Sequence, residues 1–102
     1  MRLDMKILSL PGVEKKESRW GHMTAYWIGK REFAHFHGGD RLDIRVVRSA
    51  SNDMPEIRLD HRVMLRPRAS DWIEFRLREQ SDVDDAFRLV KLAWKNNRQA
   101  RR

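Results

Sequence analysis

Two neighbouring stretches, Trp72-Ile-Glu-Phe-Arg-Leu-Arg78 and Ser81-Asp-Val-Asp-Asp-Ala-Phe-Arg-Leu-Val-Lys-Leu-Ala-Trp94, decide the fold class. In the first, Ile73, Phe75 and Leu77 alternate with Trp72, Glu74, Arg76 and Arg78, which is the period of a strand with one dry face. In the second, Val83, Phe87, Val90 and Trp94 recur at helical spacing, and Leu89 and Ala93 widen the apolar stripe. Ser81 with Asp84 three residues later resembles a capping box at the helix start. A dry sheet face and an apolar helix stripe both need cover, and each is the large partner the other lacks. The expectation is a two-layer α+β domain with the C-terminal helix packed on a mostly antiparallel sheet.

Working outward, Leu42, Ile44 and Val46 share one face of a strand over residues 42–47, while Asp43 and Arg45 point the other way. Residues 22–28 and 31–37 read as the arms of a hairpin joined at Gly29-Lys30, and Gly38-Gly39-Asp40 make the next turn. The charges of residues 13–20 suit an exposed edge strand or loop. Residues 49–61, rich in Ser, Asn and Asp with Pro55, interrupt the pattern with a helical turn before Val63 and Leu65 resume an alternating strand, and residues 67–71 form a loop. Leu3, Ile7 and Leu10 give a short N-terminal helix stopped by Pro11 and Gly12. This makes about five to six strands in a single domain spanning residues 1–102, a length that fits one modest core.

The 102 residues contain no cysteine, which removes disulfides, thiolate metal sites and a cysteine nucleophile. Arg2, Asp4 and Lys6 break up the apolar residues of the N-terminus, so no secretory leader is expected. No apolar run approaches the roughly 20 residues that span a bilayer. A cytosolic protein without a membrane partner follows as the expectation. The net charge of +7 brings nucleic acid to mind, but Lys95, Arg98, Arg101 and Arg102 supply four of those charges at the end of the last helix. Cations there also complement the negative end of the helix macrodipole.

Glu32-Phe-Ala-His-Phe-His-Gly38 carries the most unusual chemistry. On a regular strand Phe33, His35 and His37 project to one face and Ala34 and Phe36 to the other. With Ala34 and Phe36 under the helix, both imidazoles lie on the open face, beside Asp43 and Arg45 and within a strand or two of Trp72 and Glu74. His61 would enter from the loop before Val63. Three readings stay open: a His-x-His metal pair completed by His61, Asp43 or Glu74; a metal-free pocket in which the imidazoles act as acid, base or hydrogen-bond partners; and a structural pair satisfied by Asp43 and backbone groups. A glycine-rich phosphate loop, a Gly-x-Ser-x-Gly elbow and a His-Glu-x-x-His motif are all missing, which leaves nucleotide and serine hydrolysis without an anchor.

In order and wording, residues 29–95 resemble the bacterial luciferase-domain family, small proteins related to the fungal luciferase domain. The resemblance rests on Gly29-Lys-Arg-Glu-Phe-Ala-His-Phe-His-Gly38, Leu42-Asp43-Ile44, His61, Asp71-Trp-Ile-Glu-Phe75, Asp82-Val83 and Ala86-Phe-Arg-Leu-Val-Lys-Leu-Ala93. It implies the two histidines at His35 and His37, the acid at Asp43 and, before the final strand, His61, here followed by Arg62. It also implies oxygen-dependent chemistry without an organic cofactor.

The leading functional expectation is a small-molecule-binding domain, either a binding module or a cofactor-independent acid/base or oxygenase-like enzyme. His35, His37, Asp43 and His61 are its candidate catalytic residues, and Arg45, Trp72 and Glu74 its ligand contacts. No organic cofactor is called for, and a metal ion stays open. The alternative is a nucleic-acid-binding or protein-interaction module using the basic tail and Arg58, Arg62, Arg66 and Arg68, although Glu56 and Asp60 sit among them. Self-association through the open sheet face also stays open.

Overall fold

The computed structural model describes residues 2–46, 60–65 and 71–99. Helix α1 (Leu3–Leu8) is followed by strands β1 (Val13–Glu17), β2 (Thr24–Ile28), β3 (Arg31–Phe36), β4 (Arg41–Arg45), β5 (Val63–Leu65) and β6 (Trp72–Arg76), then helix α2 (Gln80–Gln99). The strands form one sheet in the order β1-β2-β3-β4-β6-β5, and every neighbouring pair is antiparallel. The α+β expectation holds, with six strands and both helices. The expected helical turn within 49–61 falls largely, and the loop at 67–71 almost wholly, outside the described residues.

The first four strands run as a meander because their connections are short. Gly29, at φ +60°, supplies the left-handed backbone that the two-residue turn between β2 and β3 requires. Both edges discourage further strand pairing: β1 exposes Glu14, Lys15, Lys16 and Glu17, and β5 is only three residues long.

Directly opposed residues of antiparallel strands share a face. One face therefore carries Tyr26, Ala34, Ile44, Ile73, Leu42 and Phe75, all buried in the core with Leu3 and Ile7 of α1. On α2 the innermost line is Ala86, Leu89, Val90 and Ala93, ending in the fully buried Asn97. Val83, Phe87 and Trp94 flank that line and are only partly buried, so the deepest contact lies about one residue around the helix from the expected stripe. The small Ala86 and Ala93 let the helix backbone approach the sheet. Asn97 is satisfied there by donating to the Arg45 and Ala93 carbonyls at 2.9 and 2.7 Å.

The start of α2 also differs from expectation. With the helix beginning at Gln80, it is Asp82 that reaches back, its Oδ2 accepting from the Glu79 and Arg78 backbone N–H groups at 2.9 and 2.8 Å. This is the return half of a capping box, made by a residue other than the expected Ser81 and Asp84. Asp82 Oδ1 accepts from Arg62 at 2.7 Å, and the same guanidinium holds Asp60 and Asp85 and lies 4.9 Å from the Phe75 ring centre. Hydrogen bonding from Arg62 pulls the Asp60 and Asp82 carboxyls down to about 2. Arg62, one of the four arginines of the nucleic-acid alternative, thus points into the protein. Among the described residues, no helix is long and apolar enough to cross a membrane.

Candidate functional site

One irregularity in β3 builds the site. Tyr26 pairs with Ala34, but its successor Trp27 pairs with Glu32, so Phe33 is an extra residue, a β-bulge. Phe33 turns into the core, where it is fully buried, and does not share the face of His35 and His37 as simple alternation predicts. The skip restores Glu32 to the side of His35 although the two are three residues apart, and Glu32 Oε2 lies 2.8 Å from His35 Nδ1.

Across the face turned away from α2, the register sets Ala25, His35, Asp43, Glu74 and Met64 in one row. His35 Nε2 is 2.8 Å from Asp43 Oδ2, so the ring is held at both nitrogens between carboxylates. Ionised carboxylates can only accept hydrogen bonds, and the arrangement is complete when the imidazole carries a proton on each nitrogen. Glu32, His35 and Asp43 are 4, 6 and 3 % exposed, so each charge relies on the others.

The cover over this row is aromatic. Glu32 Oε1 accepts from the Arg19 N–H and Oε2 from the Ser18 hydroxyl, at 2.8 and 2.7 Å, while Ser18 Oγ accepts from the Trp20 N–H at 3.1 Å. These bonds fold residues 18–20 down onto the sheet and bring Trp20 to 5.7 Å from the His35 ring. Trp72 lies 5.0 Å from His35 and packs edge-on against Trp20 at 5.1 Å. Trp20 nevertheless remains 56 % exposed. Beside the two indoles is a depression of about 380 Å³ lined by Arg19, Trp20, Lys30, Arg31, Glu32, Arg45 and Trp72. Its cations and aromatic surfaces suit an organic anion.

On the other side of the row, His37 follows β3 and is pinned by its backbone N–H to the Arg41 carbonyl at 2.9 Å. Its side chain is about half exposed, with Nδ1 3.6 Å from Glu74 Oε1. Donor atoms of His37, Asp43 and Glu74 all lie within 4.8 Å of one another, a grouping able to hold a metal ion.

The expected site residues are thus divided. His35, His37, Asp43, Glu74 and Trp72 converge. Arg45 lines the same depression but its guanidinium is held by Asp71 at 3.0 Å and by Asn97. His61 stands apart, 92 % exposed at its side chain, beside a different depression lined with Arg62, Arg76, Arg78, Glu79, Ser81 and Asp82. Sequence reasoning missed Glu32, because strict alternation assigns it the wrong face, and Trp20, a lone aromatic in the polar stretch of residues 18–22.

A family model described as Luciferase domain matches residues 30–93. No curated protein and no solved structure matches the chain.

Proposed function

The chain belongs to the luciferase-domain family, and from that premise we propose that it binds a small organic anion in the depression beside Trp20 and Trp72 and moves a proton there. The observation that carries this reading is the position of Glu32. It is a nearly buried carboxylate that lines the anion-suited depression and is held from behind by His35. In such a site the ligand's planar or apolar part lies against the indoles, and its charge faces Arg19, Lys30 and Arg31. Glu32 accepts a proton from the bound acid, and the His35 imidazolium, fixed by Asp43, offsets the negative charge that would otherwise disfavour binding. His35 and Asp43 are then positioning residues. Any reaction with oxygen would belong to the deprotonated substrate, which is the part of the reading that rests on the family alone.

The test is tryptophan fluorescence of the metal-free protein titrated with a panel of aromatic and aliphatic carboxylates, enolates and phosphate esters. Saturable quenching by an aromatic anion is expected, weakened at least tenfold by Trp20→Ala and by the double substitution Arg19→Ala with Lys30→Ala. Exchange of an acidic C–H proton of a bound anion with deuterated solvent should be lost in Glu32→Gln while binding persists. Quenching that is indifferent to these changes would reject the reading.

A further inference from the structure

We infer that His37, Asp43 and Glu74 form a binding site for one divalent first-row metal ion, on the side of the buried row away from the two tryptophans. The inference uses Asp43, which the proposed function also uses, but does not depend on an anion binding beside Trp20.

Geometry comes first. Donors bound at roughly 2.0–2.2 Å to a tetrahedral ion lie about 3.3–3.6 Å apart, and here the three lie within 4.8 Å of one another. Small side-chain rotations close the difference. The three residues sit on adjacent parts of one sheet: Asp43 and Glu74 are direct cross-strand partners, and His37 is tied to the start of β4 through Arg41. Their backbones need not move to gather the donors.

Charge points the same way. Like charges placed directly opposite on a sheet face repel, and Asp43 and Glu74 are so placed while being only 3 and 8 % exposed. Glu32 adds a third carboxylate on the same face, and His35 contacts both Glu32 and Asp43. Arg41 reaches Glu74 at 3.7 Å, but from a half-exposed position at the rim. A dication between Asp43 and Glu74 turns that repulsion into coordination.

The donor set indicates which ion. One imidazole nitrogen and two carboxylates, with no thiolate, suit Zn²⁺ and Mn²⁺ better than a soft ion, and the order of intrinsic affinities places Zn²⁺ above Mn²⁺. The bond from His35 to Asp43 acts as an outer-shell contact that aims the carboxylate. Because the His37 side chain is half exposed, the coordination sphere opens toward solvent on that side.

The test is calorimetric titration of the full chain, made without a histidine tag and stripped with chelator, using ZnCl₂ and MnCl₂ separately. One ion per chain is expected, Zn²⁺ tighter than Mn²⁺, with a rise in Tm on saturation. His37→Ala changes an exposed side chain and should fold normally; it is expected to weaken binding at least tenfold and remove the Tm response. Arg41→Ala removes a competing cation and should tighten binding severalfold. His22→Ala and His61→Ala should leave it unchanged. No binding at millimolar metal, binding that survives His37→Ala, or weaker binding in Arg41→Ala would overturn the assignment. Because the anion titration is done without metal, either proposal can fail while the other stands.

Discussion

Arg62 and His35 occupy comparable positions in two parts of the molecule: each is a basic side chain held by more than one carboxylate at the surface of the sheet. Arg62 draws in Asp60, Asp82 and Asp85 and ties the approach to β5 to the first turn of α2. His35 draws in Glu32 and Asp43 and ties the loop bearing Trp20 to the middle of the sheet. A guanidinium keeps its charge throughout the range in which proteins are folded, so the first group is a permanent fastening. His35 instead lies against Trp20 and Trp72 with Glu32 lining an open depression, so the second group borders a surface that a ligand can reach. Under the proposed function, the same layout serves stability in one place and proton transfer in the other.

The strongest challenge to this contrast is Arg62→Met. It leaves Asp82 in a largely buried position without its cation and should cost about 3 kcal/mol in urea or thermal denaturation; a cost near zero would show that the fastening is idle. His35→Gln should cost a comparable amount, about 3 kcal/mol, since it leaves Glu32 and Asp43 buried with only a neutral amide between them. Its transition should remain cooperative while anion binding beside Trp20 weakens at least tenfold. Anion binding as tight as in the parent would erase the distinction.

Acid separates the two groups further. Asp60 and Asp82 are lowered from 3.8 to about 2 in the folded chain, chiefly through hydrogen bonds from Arg62. The stability they contribute is therefore fully present above about pH 4 and is lost as pH falls toward 2. An acid titration followed by circular dichroism should show the midpoint moving to higher pH in Arg62→Met, because those carboxyls return toward their ordinary range. The smallest effect is expected from His61→Ala, within about 0.5 kcal/mol of the parent and with unaltered anion quenching, since that side chain is 92 % exposed and faces a separate depression.

Much of this was legible in the residues. The switch from the period of Ile73, Phe75 and Leu77 to that of Val83, Phe87 and Val90 announced a strand feeding a helix, because burial imposes a different repeat on each. The open-face placement of His35 beside Asp43 followed from the same rule, and the two are direct partners across β3 and β4. What was hidden depends on contacts distant in sequence. The place of β6 between β4 and β5 is set by which dry faces meet under α2, and no local pattern encodes it. Asn97 looks like a surface residue until the Arg45 carbonyl is brought to it. Phe33 was read to the wrong side, and Glu32 was not placed in the site, because a bulge has no signature in hydrophobicity alone.

That bulge makes the strand behave like a text with one extra letter. On the Gly38 side of Phe33, β3 pairs with both β2 and β4 in one phase; on the Arg31 side it pairs with β2 one position out of that phase. Deleting Phe33 would empty a space in the core yet heal the strand: Glu32 and Ala34 would become neighbours opposite Trp27 and Tyr26, the register with β2 would run on without a break, and Glu32 and His35 would keep both their pairings and their shared face.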